Sequence, residues 1–256
     1  MRAAKRLAAV LLFAILTMLA GKVCGVNFGD LKASVSKGTP LLALFFPPAW
    51  SDVPSLLQPI LVTMVLAISA TVLGTLFSFP CALAASSNIA PRWLRLTTRC
   101  IIGFERGLPE IVLLLFAVVA IGLGALPGLI ALSISSVGML AKLLADATEE
   151  IEPQLLESIS VTGASHWQMI RYAVLPQILP SLLANALFRF EVNVRAAVLL
   201  GAVGAGGIGY ELYIAMSALE YRRATIAIGA SLLLVIISER TADFFRARIL
   251  GGGQRV

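Results

Sequence analysis

Five polar or ionisable residues sit within an otherwise apolar stretch of the second half of the sequence: Asn185, Arg189, Glu191, Asn193 and Arg195. On insertion scales an ionisable side chain at the centre of a bilayer costs about 2.5 to 3.5 kcal/mol, so these groups must face protein or water. Asn185, Arg189 and Asn193 recur every four residues and line one face of a helix, while Glu191 and Arg195, also four apart, can pair on another. Two readings fit. One is a polar seam along a translocation route, in which an arginine helps an oxyanion pass without holding it. The other is a network that bonds helices together or seals a dimer.

Other chemistries find little material. His166 is the single histidine, and Cys24, Cys81 and Cys100 are odd in number and far apart, so a metal site, a disulfide framework and a His-based triad are not expected. No Gly-x-x-x-x-Gly-Lys-Ser/Thr phosphate loop is present, so the chain is expected to be no enzyme and to bind no ATP itself. Residues 204–209, GAGGIG, match the dinucleotide spacing, but neither a preceding strand nor a soluble β-α-β unit accompanies them. Gly204, Gly206, Gly207 and Gly209 instead predict a break at a span end, suited to a gate, a hinge or a close dimer contact.

The elements that position these residues are membrane helices. Of 256 residues, 59% are hydrophobic and 13% charged, against roughly 25% charged in a soluble domain. The apolar residues fall into blocks suited to a bilayer core, which needs about 20 residues per helix. The net charge of +6 is spread over short loops and chain ends rather than gathered in a stripe, which argues against nucleic acid.

The expected class is an all-α integral membrane protein of about six transmembrane helices. MRAAKR followed by LAAVLLFAILTMLA also has the form of a secretory signal, but no clean small-x-small site follows, and Leu7 to about Val26 reads as an uncleaved first helix. Residues 27–55 hold Gly38, Pro40, Pro47, Pro48 and Pro54 and read as an extracytoplasmic loop. A second span covers about Leu56 to Leu83, followed by a basic loop with Arg92, Arg95, Arg99 and Arg106. A third starts at Pro109 and Glu110 and runs to about Leu126, where Pro127 and Gly128 turn the chain into a fourth that ends near Leu144, with Lys142 placed to snorkel. The fifth covers about Ile178 to Val203, and Thr225 to Ile237 is the core of a sixth. The organisation is then 1–55, a first helix and loop; 56–245, a transmembrane core; and 246–256, a tail. With the N-terminus inside, thirteen basic residues fall on the cytoplasmic side and five outside, which predicts both termini in the cytoplasm.

Between the fourth and fifth spans lies DATEEIEPQLLESISVTGASHWQMIRYAVLPQILP. Ile151, Leu155, Leu156 and Ile159 recur at three and four on a helix from about Glu150 to Val161 and leave an acidic face opposite. Gly163 permits a turn with positive φ, after which Trp167, Ile170 and Val174 continue as a second amphipathic helix, ended by Leu175, Pro176 and Pro180. The result is a bent handle outside the bilayer; a hairpin lying on lipid is the other reading.

This segment resembles the cytoplasmic loop of bacterial ABC importer permeases, with Glu157, Gly163, Leu175 and Pro176 at the positions of the family pattern and Ser158, Ile159 and Ala173 departing from it. The similarity sharpens towards phosphonate-type permeases over about Leu56 to Phe245, through RGLPE at 106–110, TGAS at 162–165 and RFEVNVRAAVLLGAVGAGGIGYEL at 189–212. It implies the MetI-like permease fold with a coupling helix, and ATPase coupling through Glu157, Gly163, Ala164, Ser165, Leu175 and Pro176. It also implies a homodimer in the bacterial inner membrane, a cytoplasmic ATPase subunit that binds ATP and Mg, and a periplasmic binding protein that delivers phosphonate or a related phosphorus oxyanion. The same architecture carrying another solute such as methionine remains an alternative. An ion-coupled secondary transporter is disfavoured because no paired broken repeats are visible.

Overall fold

The computed structural model describes residues 2–25, 36 and 38–252, all of whose regular elements are helical. The end of the expected first helix at Val26, residues 27–35 and 37 of the loop that follows it and the last residues of the tail lie outside the described residues. The chain divides into two units, Met1–Pro48 and Ala49–Val256. In the first, helix α1 (Arg2–Val23) carries an apolar stretch, Val10–Val23, that is shorter than a full span.

The second unit holds the core. Helix α2 (Val53–Ala85) is longer than the expected second span, because Pro54 lies in its first turn, where the missing N–H costs nothing. Helix α5 (Ala125–Glu149) runs parallel to it. Their C-terminal ends meet where Ser87 N–H donates to Glu149 and Asn88 Nδ2 donates to the Thr148 carbonyl at 2.7 Å. Midway, Gly74 lies against Ser136 so closely that a Cβ would strike the serine side chain. That approach lets two long apolar helices pack over much of their length.

The expected basic loop and third span form a broken path instead. Helix α3 (Arg92–Arg106) turns Leu94, Thr98, Ile102 and Glu105 inward at helical spacing, and its arginines themselves recur at three and four. Arg99 Nε donates to the Ala85 carbonyl at 2.8 Å and its Nη2 pairs with Glu149, anchoring this helix to the ends of α2 and α5. Pro109 disfavours helix at the residue before it, so α3 stops and α4 (Glu110–Ile121) begins afresh. Twelve residues reach about 18 Å, too short to cross a bilayer alone. The reversal into α5 lies at residues 122–124 rather than at Pro127 and Gly128, which are already in the first turns of α5. That helix continues past Leu144 to Glu149, with Lys142 paired to Asp146.

Three described helices are long and apolar enough to cross a membrane, and a bent pair makes a fourth. The count of about six therefore resolves into three or four full spans plus the shorter apolar helices Val10–Val23 and Glu110–Ile121. The fifth expected span is α8 (Leu175–Leu200), and the sixth is α10 (Tyr221–Gly252), a 32-residue helix far longer than its expected core. Both prolines expected to end the helix before α8 lie within continuous helix. A wide π-type turn over Ile170–Val174 stands directly before Pro176 and relieves the clash between a proline ring and the carbonyl four residues back. Ile170, Val174 and Ile178, four apart and buried, hold this stretch against the core.

Candidate functional site

At the end of the bundle where α2 and α5 finish, the chain leaves as α6 (Pro153–Val161) and returns as α7 (His166–Met169). Ile151 and Leu156 are buried, and Leu155 and Ile159 partly so, against Leu83, Ile170, Val174 and Ile178. The expected apolar stripe is thus the seat of the handle. Between the helices Gly163 has φ of +80°, which a residue with a Cβ adopts only under strain, and its N–H donates to the Ser160 carbonyl at 3.0 Å. Ser165 and Gln168 then form a reciprocal capping box: Ser165 N–H donates to Gln168 Oε1 at 2.7 Å, and Gln168 N–H donates to Ser165 Oγ at 3.4 Å.

Of the expected coupling residues, Glu157, Gly163, Ser165 and Pro176 are exposed, and Ala164 and Leu175 are partly buried. Leu175 and Pro176 belong to the supporting helix α8 rather than to the bend. Trp167 is not on the inner stripe, being 76% exposed, and Val161 is 86% exposed beside the bend. Two exposed apolar side chains thus flank the exposed glycine at the tip of the handle. Sequence periodicity places Trp167 inside because it continues the spacing of Ile170 and Val174, but Trp167 lies in the first turn after the Ser165 cap and is left out of the buried cluster that holds Ile170 and Val174. Replacing Ser165 with alanine is expected to cost about 0.5–2 kcal/mol locally, read as faster hydrogen exchange at the Gln168 amide.

Deeper in the bundle two charged residues of α8 pair with other helices, and Arg195 has no ion-pair partner among the described residues. Arg189, 3% exposed, donates to Glu110 Oε1 at 2.8 Å, to Ser136 Oγ and Ser135 Oγ at 2.9 Å each, and lies 3.4 Å from Met139 Sδ. Asn193, fully buried, donates to Thr71 Oγ1 at 2.9 Å and to Ser136 Oγ at 3.0 Å. These bonds tie α8 to α2, α4 and α5 at one level, which is the helix-bonding reading of the polar seam. Asn185 stands apart from that network and donates to Ser181 Oγ at 3.2 Å.

Glu191 and Arg195 do not pair. The Glu191 carboxylate instead accepts from Arg246 of α10, whose other nitrogen reaches Asp243 at 2.9 Å, while Arg195 is exposed on another face. Glu191 is buried towards α10, so a partner from a packed neighbouring helix displaces the local one. Glu110, Ser135, Ser136 and Thr71 complete the network and were not anticipated. Their signal was an acid opening an apolar helix and a serine pair in the middle of a span.

Beyond Leu200 the helix breaks. A π-type turn over Gly201–Ala205 contains Gly204 at φ 110°, and Gly206 (φ 83°) and Gly207 (φ 73°) lead into α9 (Gly207–Ser217), bent by 55° from α8. Left-handed backbone at three successive places is what the glycines supply. The run is held from several sides: Gly124 N–H donates to the Gly204 carbonyl, and Ile208 N–H donates to Thr63 Oγ1, both at 2.9 Å. A Cβ at Gly209 would meet the Val198 carbonyl. At the far end of α9, Arg223 pairs with Glu211 at 2.8 Å and Glu220 at 3.5 Å. Among the described residues no group of acids, histidines and cysteines is placed to hold a metal.

The chain matches the family described as "Binding-protein-dependent transport system inner membrane component" over residues 74–251. It is 36% identical to the phosphite transport system permease protein PtxC of Stutzerimonas stutzeri over 193 residues, 75% of this chain and 68% of that one. It is 38% identical over 189 residues to the phosphate-import permease protein PhnE of Mycolicibacterium smegmatis, 73% of this chain but only 36% of that longer protein. The fold is similar to a subunit of the MetNI methionine ABC transporter solved in inward-facing conformations, with a TM-score of 0.69 at 23% identity, covering 78% of this chain and 99% of that one. The match exceeds half of the chain and includes both the bent handle and the polar helix: the chain belongs to the binding-protein-dependent transport system inner membrane component family, the membrane-embedded permease subunits of ABC importers.

Proposed function

We propose that this chain forms the translocation pathway of an ATP-driven importer for phosphonate or a related phosphorus oxyanion such as phosphite or phosphate. The observation that carries the reading is the handle: a glycine bend with exposed Val161 and Trp167, seated on the ends of α2 and α8 through Leu83, Leu156, Ile170 and Val174. A cytoplasmic ATPase subunit grips the tip, and because the seat is continuous with the spans, its closure moves them. ATP and Mg belong to that subunit, and this chain hydrolyses nothing. A periplasmic binding protein delivers the solute to the opposite end, where the glycine break lies. Two copies enclose the route, and both termini lie in the cytoplasm. The solute class is supported by the relatives that import phosphite and phosphate.

Uptake in a strain lacking its own phosphorus-oxyanion importers tests this. With the permease, its ATPase subunit and its binding protein restored, labelled phosphite, phosphonate or phosphate is expected to accumulate, and omission of the ATPase subunit is expected to abolish uptake. Accumulation of labelled methionine with none of the phosphorus compounds would move the chain to another solute. Uptake driven by a proton or sodium gradient without the ATPase would overturn the importer mechanism.

A further inference from the structure

The charges of α8 are not equivalent. Arg189 is neutralised by Glu110 and further held by Ser135 and Ser136, and Glu191 is neutralised by Arg246. Arg195 is exposed and has no ion-pair or hydrogen-bond partner among the described residues. Its depth follows from its neighbour Val194, which is fully buried and packs with Ala67 near the midpoint of α2 and with Leu234 of α10. An unpaired guanidinium therefore stands near the middle of the apolar thickness. Arginine stays charged in proteins, and a cation left against lipid at that depth costs about 2.5 to 3.5 kcal/mol.

The face of α8 that carries it bears Phe188, Val192, Arg195 and Leu199 at spacings of four, three and four. Leu199 is 64% exposed and Phe188 40% exposed. We infer that this face lines the solute route, and that Arg195 is the residue through which the pathway attracts an oxyanion. The inference rests on the import of a phosphorus oxyanion proposed above and adds the specificity-determining side chain.

Such an anion carries one or two negative charges and several acceptor oxygens, which a guanidinium fork matches. The surroundings keep the hold weak. Phe188 and Leu199 offer no hydrogen bonds, so the anion gains one charged partner and then moves on, as transport through a pore requires. Arg189, a few residues deeper in the bundle, cannot serve without stripping Glu110 of its partner. Glu239 of α10 is exposed and without a partner among the described residues, so the test includes it as an acid that a second copy could set against Arg195.

The test uses the assembled transporter in proteoliposomes with its binding protein and ATPase subunit. Arg195→Glu is expected to reduce phosphite uptake about tenfold or more, the scale on which one focused charge alters anion encounter. Complex recovery and ATP hydrolysis without binding protein should stay at wild-type levels. Arg195→Lys, which keeps the charge, should retain most uptake. A separate measurement does not depend on transport: Arg195→Cys, with Cys24, Cys81 and Cys100 changed to serine, should react with a membrane-impermeant anionic thiol reagent.

No reaction in that variant, or equal losses in the lysine and glutamate variants, would overturn the assignment. Loss of complex recovery in Arg195→Glu that Glu239→Lys restores would place Arg195 in an intersubunit ion pair and would also overturn it. A wild-type complex that takes up no phosphorus oxyanion, with Arg195→Cys still reactive, would sink the proposed solute while leaving this face on the route.

Discussion

Arg189→Leu is expected to lower the stability of the detergent-solubilised permease by about 3–5 kcal/mol, the range found when one member of a buried ion pair is removed. The leucine fills part of the space but leaves Glu110, Ser135 and Ser136 without the donor that satisfies all three. Glu110 is the decisive partner, because its carboxylate then keeps the Ser135 hydroxyl as a donor at 2.8 Å but loses its counter-charge. Glu110→Gln should cost less, since the amide oxygen still accepts from Arg189 and the cation keeps its two serine contacts. Combining Glu110→Gln with Arg189→Leu should be less damaging than the sum of the single changes, because no unpaired charge is left. Thermal unfolding of the four proteins in one detergent measures this. A single Arg189→Leu within about 0.5 kcal/mol of wild type, the range of an ordinary surface substitution, would mean that the network does not hold the bundle.

The same network shows where sequence reasoning reached and where it stopped. Helix existence was legible because apolar blocks of bilayer length are a strong signal, and the handle was legible because Ile151, Leu155, Leu156 and Ile159 repeat as an amphipathic helix must. That Arg189 and Asn193 share a face also followed from their spacing of four, and the structure joins both on Ser136. The identity of a buried charge's partner did not follow. Glu191 finds Arg246, 55 positions away, and Arg189 finds Glu110, 79 positions away. Such choices are made by which helices pack together, and nothing local encodes them. Helix ends were missed for a related reason. The arginines at 92, 95, 99 and 106 read as a loop by charge, yet their spacing suits a helix once Arg99 can anchor to Ala85 and Glu149. Pro176 and Pro180 read as stops, yet the π-type turn before them and the burial of Ile178 carry the helix through.

Gly163→Pro is expected to abolish uptake while the transmembrane bundle remains folded. Proline fixes φ near −65°, whereas the bend requires +80°, and proline also removes the N–H that bonds the Ser160 carbonyl. Both effects fall on a residue with open space around it, so no core contact is lost and the change stays local to the tip. Gly163→Ala separates the causes. It keeps the N–H and adds only the strain of a Cβ at positive φ, about 1–2 kcal/mol, so it should lower ATPase recovery only in part. The handle's seat predicts a further distinction. Leu156→Ala leaves the bend intact but loosens its attachment to Leu83 and Val174, at a cost of about 2–5 kcal/mol for a buried leucine. That variant should still bind the ATPase subunit yet transport poorly, because a gripped tip that slips on its base transmits little motion. Co-purification scored beside uptake reads both quantities. Full binding and full transport in Gly163→Pro would show that the engine takes hold of the permease somewhere other than this bend.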